Sequence, residues 1–507
     1  GEAKEGGYTV VDPITVMFTH FSEIIRRHAQ EMLSRVETEQ VVKRVRENQP
    51  SLYDELVPNV MSLTEVDPPP PLSDTPIAQL DIDTRGLEIP KDPKIMSTLR
   101  VFINEELRLE QPMGIESIGI GEIEQGPKIS YGLESWTANG LDMDVSILSM
   151  PEEEDWILYG PYNDKTLIRH ALMVDLTKAL GRYGPRYDFV ELTINDQYQG
   201  IYLFSEKIKR DTNRLNLVDL DPDENDASTI SGGYILRVDD ERGDRGERAI
   251  GDGIMYSEKD GFRSMYGPSG DSLPFPAHGQ KRNEEHYFMY EDPDKEVITE
   301  QQKTYIQGYL AQFEDALLSD NFAQGERSYA DFIAIDSFVD YILLSELSAN
   351  PDAYRFHTYL YKDRNGPLNM GPIWMANLAF GHGELSKKSG WMFELNQRTP
   401  ESEWLVHFWW ERLLEDDTFR SALATRWAAL RASELSNEAI IDRIDTHASR
   451  LNYAGALDRN VETWTILGKK IPSNTYVGSM YAEEIAYLKE WLTDRLVWMD
   501  AELSGSF

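Results

Sequence analysis

Hydrophobic and polar positions change their period three times along this chain. Between residues 13 and 47, Ile14, Met17, Phe18, Phe21, Ile24, Ile25, His28, Met32 and Leu33 return every three or four positions, after an Asp12-Pro13 pair that supplies an N-cap acid and a proline at the first helical position. This spacing predicts a long amphipathic helix. Leu52, Leu56, Val60 and Leu63 predict a shorter second one, and Asp67-Pro68-Pro69-Pro70-Pro71 then imposes an extended linker. Residues 1–73 therefore read as a helical extension with a proline linker, preceding a domain over 74–507. The apolar face of the 13–47 helix needs a cover, either that domain or a protein partner.

From about 76 to 240 the period shortens to two. Ile77 to Ile82 alternates in part, and Arg100 to Ile103 is a short apolar run. Phe189 to Ile194 alternates, meets Asn195-Asp196, and resumes as Ile201 to Phe204, the pattern of a hairpin around a tight turn. One helix, 165–180, interrupts these strands and is closed by Gly181, and a further strand spans Tyr234 to Val238. From residue 299 helical spacing prevails, over 299–318, 328–349, 402–414, 417–433, 436–451 and 481–503, with a strand pair at 356–361 and 370–378 set into it. A β-rich lobe at about 76–240 followed by a helical lobe at about 299–503 predicts a two-lobed α+β domain with its ligand cleft between the lobes.

Composition narrows the function classes. The 507 residues carry 50 Lys+Arg against 88 Asp+Glu, a formal charge of −38, and basic residues cluster only in short groups such as Arg26-Arg27 and Lys387-Lys388. Nucleic acid, which needs clustered cations to displace its counterions, is excluded as a partner. The absence of cysteine removes disulfides, thiolate catalysis and Cys-ligated metal. No stretch reaches the roughly 18–20 apolar residues of a membrane span, and Gly1-Glu2-Ala3-Lys4 does not read as a signal peptide.

Several motifs occur in a fixed order: Asp155-Trp156-Ile157-Leu158-Tyr159-Gly160, Asp164-Lys165-Thr166-Leu167-Ile168-Arg169, Gln199-Gly200-Ile201-Tyr202, Glu206-Lys207-Ile208-Lys209-Arg210-Asp211-Thr212-Asn213-Arg214, Gly232-Gly233-Tyr234-Ile235-Leu236, Asn350-Pro351-Asp352-Ala353-Tyr354-Arg355, and Asn377-Leu378-Ala379-Phe380-Gly381. Together they resemble the CotH family, named after a spore-coat protein, over roughly 76–503. The resemblance implies an atypical protein-kinase-like fold that binds ATP with a divalent metal such as Mg, phosphorylates proteins, and sits on a spore or cell surface. It also implies site residues. Lys128, Lys207, Lys209 and Arg210 match positions on the phosphate side. Asp352 matches the first family carboxylate, with a catalytic and metal-binding role, and Asn377 remains as a second oxygen donor to metal.

Two places depart from the family. The second carboxylate normally opens the run after tryptophan, and here that run reads Trp374-Met375-Ala376-Asn377. A thioether is soft and neutral, whereas Mg²⁺ demands hard oxygens. Glu122 and Glu124, where relatives carry serines, would repel a triphosphate. These departures predict a pseudokinase, kept as a scaffold or partner-binding component of an extracellular or surface assembly; an active protein kinase is the alternative. Asp219, Asp221, Asp223, Asn225 and Asp226 lack the Gly and Glu placement of an EF-hand and read as a solvated acidic loop, and His357 and His382 read as hydrogen-bonded rather than metal-binding.

Overall fold

The computed structural model describes residues 75–119, 126–239, 259–274, 284–325, 327–374, 376–402 and 404–504. The 13–47 helix, the proline linker, Glu122, Glu124 and Met375 lie outside these residues. All described elements belong to one unit, Leu72–Phe507.

Seven strands make the first half: β1 (Ala78–Asp83), β2 (Ile95–Ile103), β3 (Glu106–Ile118), β4 (Ser130–Ser135), β5 (Asp155–Tyr159), β6 (Tyr187–Ile194) and β7 (Gln197–Glu206). They close into a barrel in the order β1-β2-β3-β4-β5-β7-β6, where β1 and β6 run parallel and every other pair is antiparallel. Alternation fills the interior: Leu80, Ile82, Leu99, Val101, Met113, Ile115, Leu133, Leu158, Val190, Leu192 and Phe204 are all buried there. The β6–β7 hairpin turns on Asn195 and Asp196 at φ 49° and 62°, the left-handed pair that a two-residue turn demands and that Asn and Asp tolerate. Closure removes the sheet edges, so strands carrying charge and proline, such as β3, are held on both sides.

Helix α1 (Arg169–Ala179) lies between β5 and β6, and Gly181 at φ 82° follows it. A second sheet combines the middle of the chain with the helical half: β8 (Tyr234–Val238), β9 (Gly261–Arg263), β10 (Tyr287–Asp292), β11 (Thr358–Lys362) and β12 (Leu368–Ile373), in the antiparallel order β12-β11-β8-β10-β9. Gly232, at the entry to β8, admits no side chain, because a Cβ there would lie 1.9 Å from the backbone nitrogen of Arg364.

The helices of the second half are α2 (Glu300–Leu318), α3 (Ile335–Ser348), the single turn α4 (Leu395–Arg398), α5 (Trp409–Leu413), α6 (Asp417–Arg431), α7 (Asn437–Leu451), α8 (Ala456–Thr463), which packs on β7 of the barrel, and α9 (Tyr481–Ser504). Thr299 and Gln302 form a reciprocal capping box on α2, and Asp416 and Ser436 cap α6 and α7. Their apolar faces join the sheet in one core that includes Leu236, Phe288, Leu310, Phe313, Phe338, Leu347, Leu360, Trp409, Trp427 and Trp491.

The α+β class and the β-rich-then-helical order stand. Several details differ from expectation. The first half is a closed barrel, and the second sheet draws strands from both halves, so the sequence halves do not map onto two lobes. The 402–414 helix is also shorter than its periodicity predicts. Trp404 O accepts from Arg355 Nη1 and Val406 N donates to Asn396 Oδ1, which spends on side chains the backbone groups a helix would use.

Candidate functional site

Sheet register assembles the site. Val238 on β8 pairs with Thr358 on β11, and Thr358 pairs with Ile373 on β12. The next residues at that end of the sheet are Asp239, His357 and Trp374. Asp352 reaches the same end from α3. That helix terminates at Ala349 in the left-handed region, φ 43°, and the Asn350 side chain accepts from the Asp352 backbone nitrogen at 3.2 Å. Tyr354, His357 and Phe380 also adopt positive φ, at 72°, 48° and 53°. Four non-glycine residues in this strained region around one loop pair mark a backbone held in place by its surroundings.

Asp352 makes one ion pair among the described residues, at 3.9 Å to Arg355 Nη2, and that guanidinium is committed to Pro351 O and Trp404 O. Burial raises the Asp352 pKa and Asp239 adds to the rise, against Arg355 and His357. Asp239 itself is gripped by Arg237 Nη1 and by His357 Nδ1 at 3.0 Å, and Arg237 Nε reaches Glu291 at 2.6 Å. Burial works against a charged His357, yet Asp239 raises its pKa above the ordinary value. The result is a dense, nearly balanced set: Arg237, His357 and Arg355 against Asp239, Asp352 and Glu291.

Asn377 is buried on the run that follows β12, and its Oδ1 accepts from the Leu378 nitrogen at 3.0 Å. Phe380 N donates to Ser348 O at 2.7 Å, which fastens this run to the end of α3, just before Asn350 and Asp352. His382 is buried and hydrogen-bonded to Asn474 at 3.1 Å, and burial pushes it down to about 3.

The basic residues lie elsewhere. Lys207 and Lys209 follow β7, beside the acids that precede β5. Lys209 Nζ lies 2.5 Å from Glu153, 2.6 Å from Glu154 and 3.0 Å from Asp155, and Lys207 Nζ lies 3.6 Å from Asp155. Burial opposes the Lys209 charge, but Asp155 and the two glutamates more than offset it and raise its pKa. Glu153, Glu154 and Asp155 are close enough to share a metal ion, but the Lys209 ammonium stands among them. Arg210 pairs with Asp219 at 2.9 Å and Asp292 at 3.5 Å. Asp292 pairs with Ile235, three residues along β8 from Val238, so Arg210 meets the sheet about 10 Å from the Asp352 end. Asp219 is thereby part of a charge-paired loop, in which Glu224 also binds Arg364 at 2.9 Å.

Lys128 forms a third group. It is 3% exposed, donates to Asn460 Oδ1 at 3.0 Å, and lies 5.0 Å from the centre of the Tyr202 ring. Burial without an acid partner lowers it to about 7. Thus the fold brings Asp352 together with Asp239 and His357, and Lys207 with Lys209, but places Arg210 and Lys128 in settings of their own. Asp239 was not foreseen. The signal for it was its position, the first acid after the apolar strand Tyr234 to Val238.

Residues 119–499 match the family model described as CotH kinase protein, and the chain belongs to the CotH family. Residues 1–68 match a second model, the FHIPEP family. The same opening segment is similar to proteins named flagellar biosynthesis protein FlhA. The Bacillus subtilis (strain 168) protein is 43% identical over 65 residues, 13% of this chain and 10% of that protein. The Caulobacter vibrioides protein is 42% identical over 65 residues, 13% of this chain and 9% of that protein. The Escherichia coli (strain K12) protein is 43% identical over 63 residues, 12% of this chain and 9% of that protein. The chain thus spans about a tenth of the length of these curated relatives.

Proposed function

We propose that this CotH-family protein is a pseudokinase: a kinase-like fold kept as a scaffold or partner-binding component of an extracellular or surface assembly, with weak or absent phosphotransfer. The observation that carries this reading is the commitment of charges. Each cation expected on phosphate either pairs with acid, as Lys207, Lys209 and Arg210 do, or is buried on an amide, as Lys128 is. The donors expected on metal fit Mg²⁺ poorly. Asp352 offers one carboxylate, Asn377 Oδ1 serves its own turn, Asp239 is held by Arg237 and His357, and Met375 stands in sequence where a family acid would be. A divalent ion placed there would also meet the guanidinium groups of Arg237 and Arg355, and the acids beside them are already engaged in ion pairs.

Partner binding is proposed for the opening segment, residues 1–68, which match the FHIPEP model separately from the CotH match over 119–499. Among the described residues no helix is long and apolar enough to cross a membrane.

Thermal unfolding of the full chain with ATP, with and without Mg²⁺, tests the proposal. The expected result is no magnesium-dependent rise in the midpoint. A rise of several degrees that needs both components would favour the active kinase.

A further inference from the structure

A second group of buried titratable side chains lies at the same end of the five-stranded sheet, on its other flank. Arg263 on β9 pairs with Tyr287 on β10, so Ser264 and His286 emerge there, next to the strand that ends in Asp239. Glu314, from the middle of α2, accepts from Ser264 Oγ at 2.8 and 2.9 Å and from Trp409 Nε1 at 3.0 Å, and it contacts His407 Nε2 at 3.0 Å. His407 stacks on His286 with ring centres 4.5 Å apart and planes 8° from parallel. Glu314, His407, His286, Ser264 and Trp409 are all at most 7% exposed. No Lys or Arg pairs with Glu314 among the described residues, and His407 Nδ1 is buried without a hydrogen-bond partner.

Among the described residues, the charged groups beside the cluster include Asp315, Arg263 and Glu285. Asp315 follows Glu314 on α2 and accepts from Tyr266 OH at 2.5 Å, and Arg263 pairs with Glu285 at 3.1 Å. Ser264 and Tyr266 are thus two hydroxyls that tie the segment after β9 to adjacent acids on α2. Gly270 in that segment abuts Leu318, and Tyr266 packs edge-on against Phe408.

We propose that Glu314, His407 and His286 form a proton-operated latch, which fastens the 263–274 segment and the β9–β10 edge of the sheet to α2. A carboxyl group enclosed with two imidazoles and no cation is stable there while the set stays neutral. Burial pushes Glu314 up to about 8 and His407 down to about 3, and burial with the neighbouring His407 drives His286 well below its ordinary value. The raised Glu314 contributes stability that is complete below the ordinary carboxyl range and is lost as the pH climbs towards about 8. The lowered imidazoles act in the opposite sense, losing stability as the pH falls below about 6.5, because the unfolded histidines then take up protons that the folded ones refuse. The latch therefore holds most firmly near neutrality and loosens on both sides.

Hydrogen exchange of the full chain, corrected for intrinsic rates between about pH 5 and 9, reads this directly. Protection of 263–274 and 286–290 is expected to peak near about pH 6.5, and opening should increase by up to about tenfold per pH unit on the alkaline side. Glu314→Gln keeps the shape without the titration and should abolish the alkaline arm while leaving the acid arm. Should that variant fail to fold, Ser264→Ala removes the hydroxyl that joins the segment to the carboxyl and should lower protection of 263–274 at every pH. A flat wild-type profile, an alkaline arm that persists in Glu314→Gln, or unchanged protection in Ser264→Ala would overturn the latch.

Discussion

Replacing Met375 with aspartate is expected to make ATP binding depend on magnesium. The midpoint of thermal unfolding should rise by a few degrees with both components present and stay put with either alone. Donor count decides the outcome. With Met375 the run after Trp374 contributes no carboxylate, and Asp352 is left as the one acid of the site whose only described ion pair is as long as 3.9 Å. A second carboxylate doubles the anionic charge a divalent ion meets and supplies the hard oxygen that a thioether lacks. Ligand at about a hundred times its dissociation constant stabilises by about 2.7 kcal/mol, which is readily measured. No magnesium-dependent shift in Met375→Asp would mean that the phosphate side, with Lys207, Lys209 and Arg210 tied to acids, is the stronger block.

Arg495→Met is expected to destabilise the protein by about 3–5 kcal/mol, the usual cost of stranding one partner of a buried pair. Arg495 and Glu346 both have fully buried side chains. Arg495 Nε donates to Glu346 O at 2.8 Å and Nη1 to Gly390 O at 2.9 Å. The Glu346 carboxylate accepts from Met392 N, Phe393 N and Tyr354 OH at 2.7, 3.0 and 2.8 Å. This network joins α3, the segment before α4, and α9 directly beneath the turn that carries Asp352. Burial lowers Arg495 to about 10 and raises Glu346, while each works against the other's shift and the Met392, Phe393 and Tyr354 donors oppose the rise of Glu346. Denaturant unfolding checks the figure. A loss under about 1 kcal/mol would show that the pair is dispensable, and Glu346→Leu with Arg495→Met should recover part of the loss.

Elements whose periodicity is strong were legible in the sequence, and those shaped by distant contacts were not. The hairpin around Asn195-Asp196, the strand Tyr234 to Val238 and the helices α1, α2, α6, α7 and α9 follow from local pattern, turn residues and caps. Strand β3 did not, because Pro112, Gly114 and its charges obscure alternation, and only pairing on both sides within the barrel keeps it extended. Asp352 and Asn377 were singled out through motif resemblance. The ion pairs that engage Lys209 and Asp239 were not, since Glu153 lies some fifty residues before Lys209 and His357 more than a hundred after Asp239. Charge compensation over such separations is a property of the fold, invisible to any window of sequence. The Glu314 cluster is the same case: four segments contribute one group or two each, and none carries a motif.

The proposed reading is that the CotH domain serves binding rather than group transfer. Its most direct test is phosphotransfer from ATP to a generic protein acceptor and to the chain itself, with Mg²⁺ or Mn²⁺, comparing the native protein with Asp352→Ala. The expected result is no incorporation above the Asp352→Ala background. Steady incorporation by the native chain that Asp352→Ala eliminates would contradict the claim.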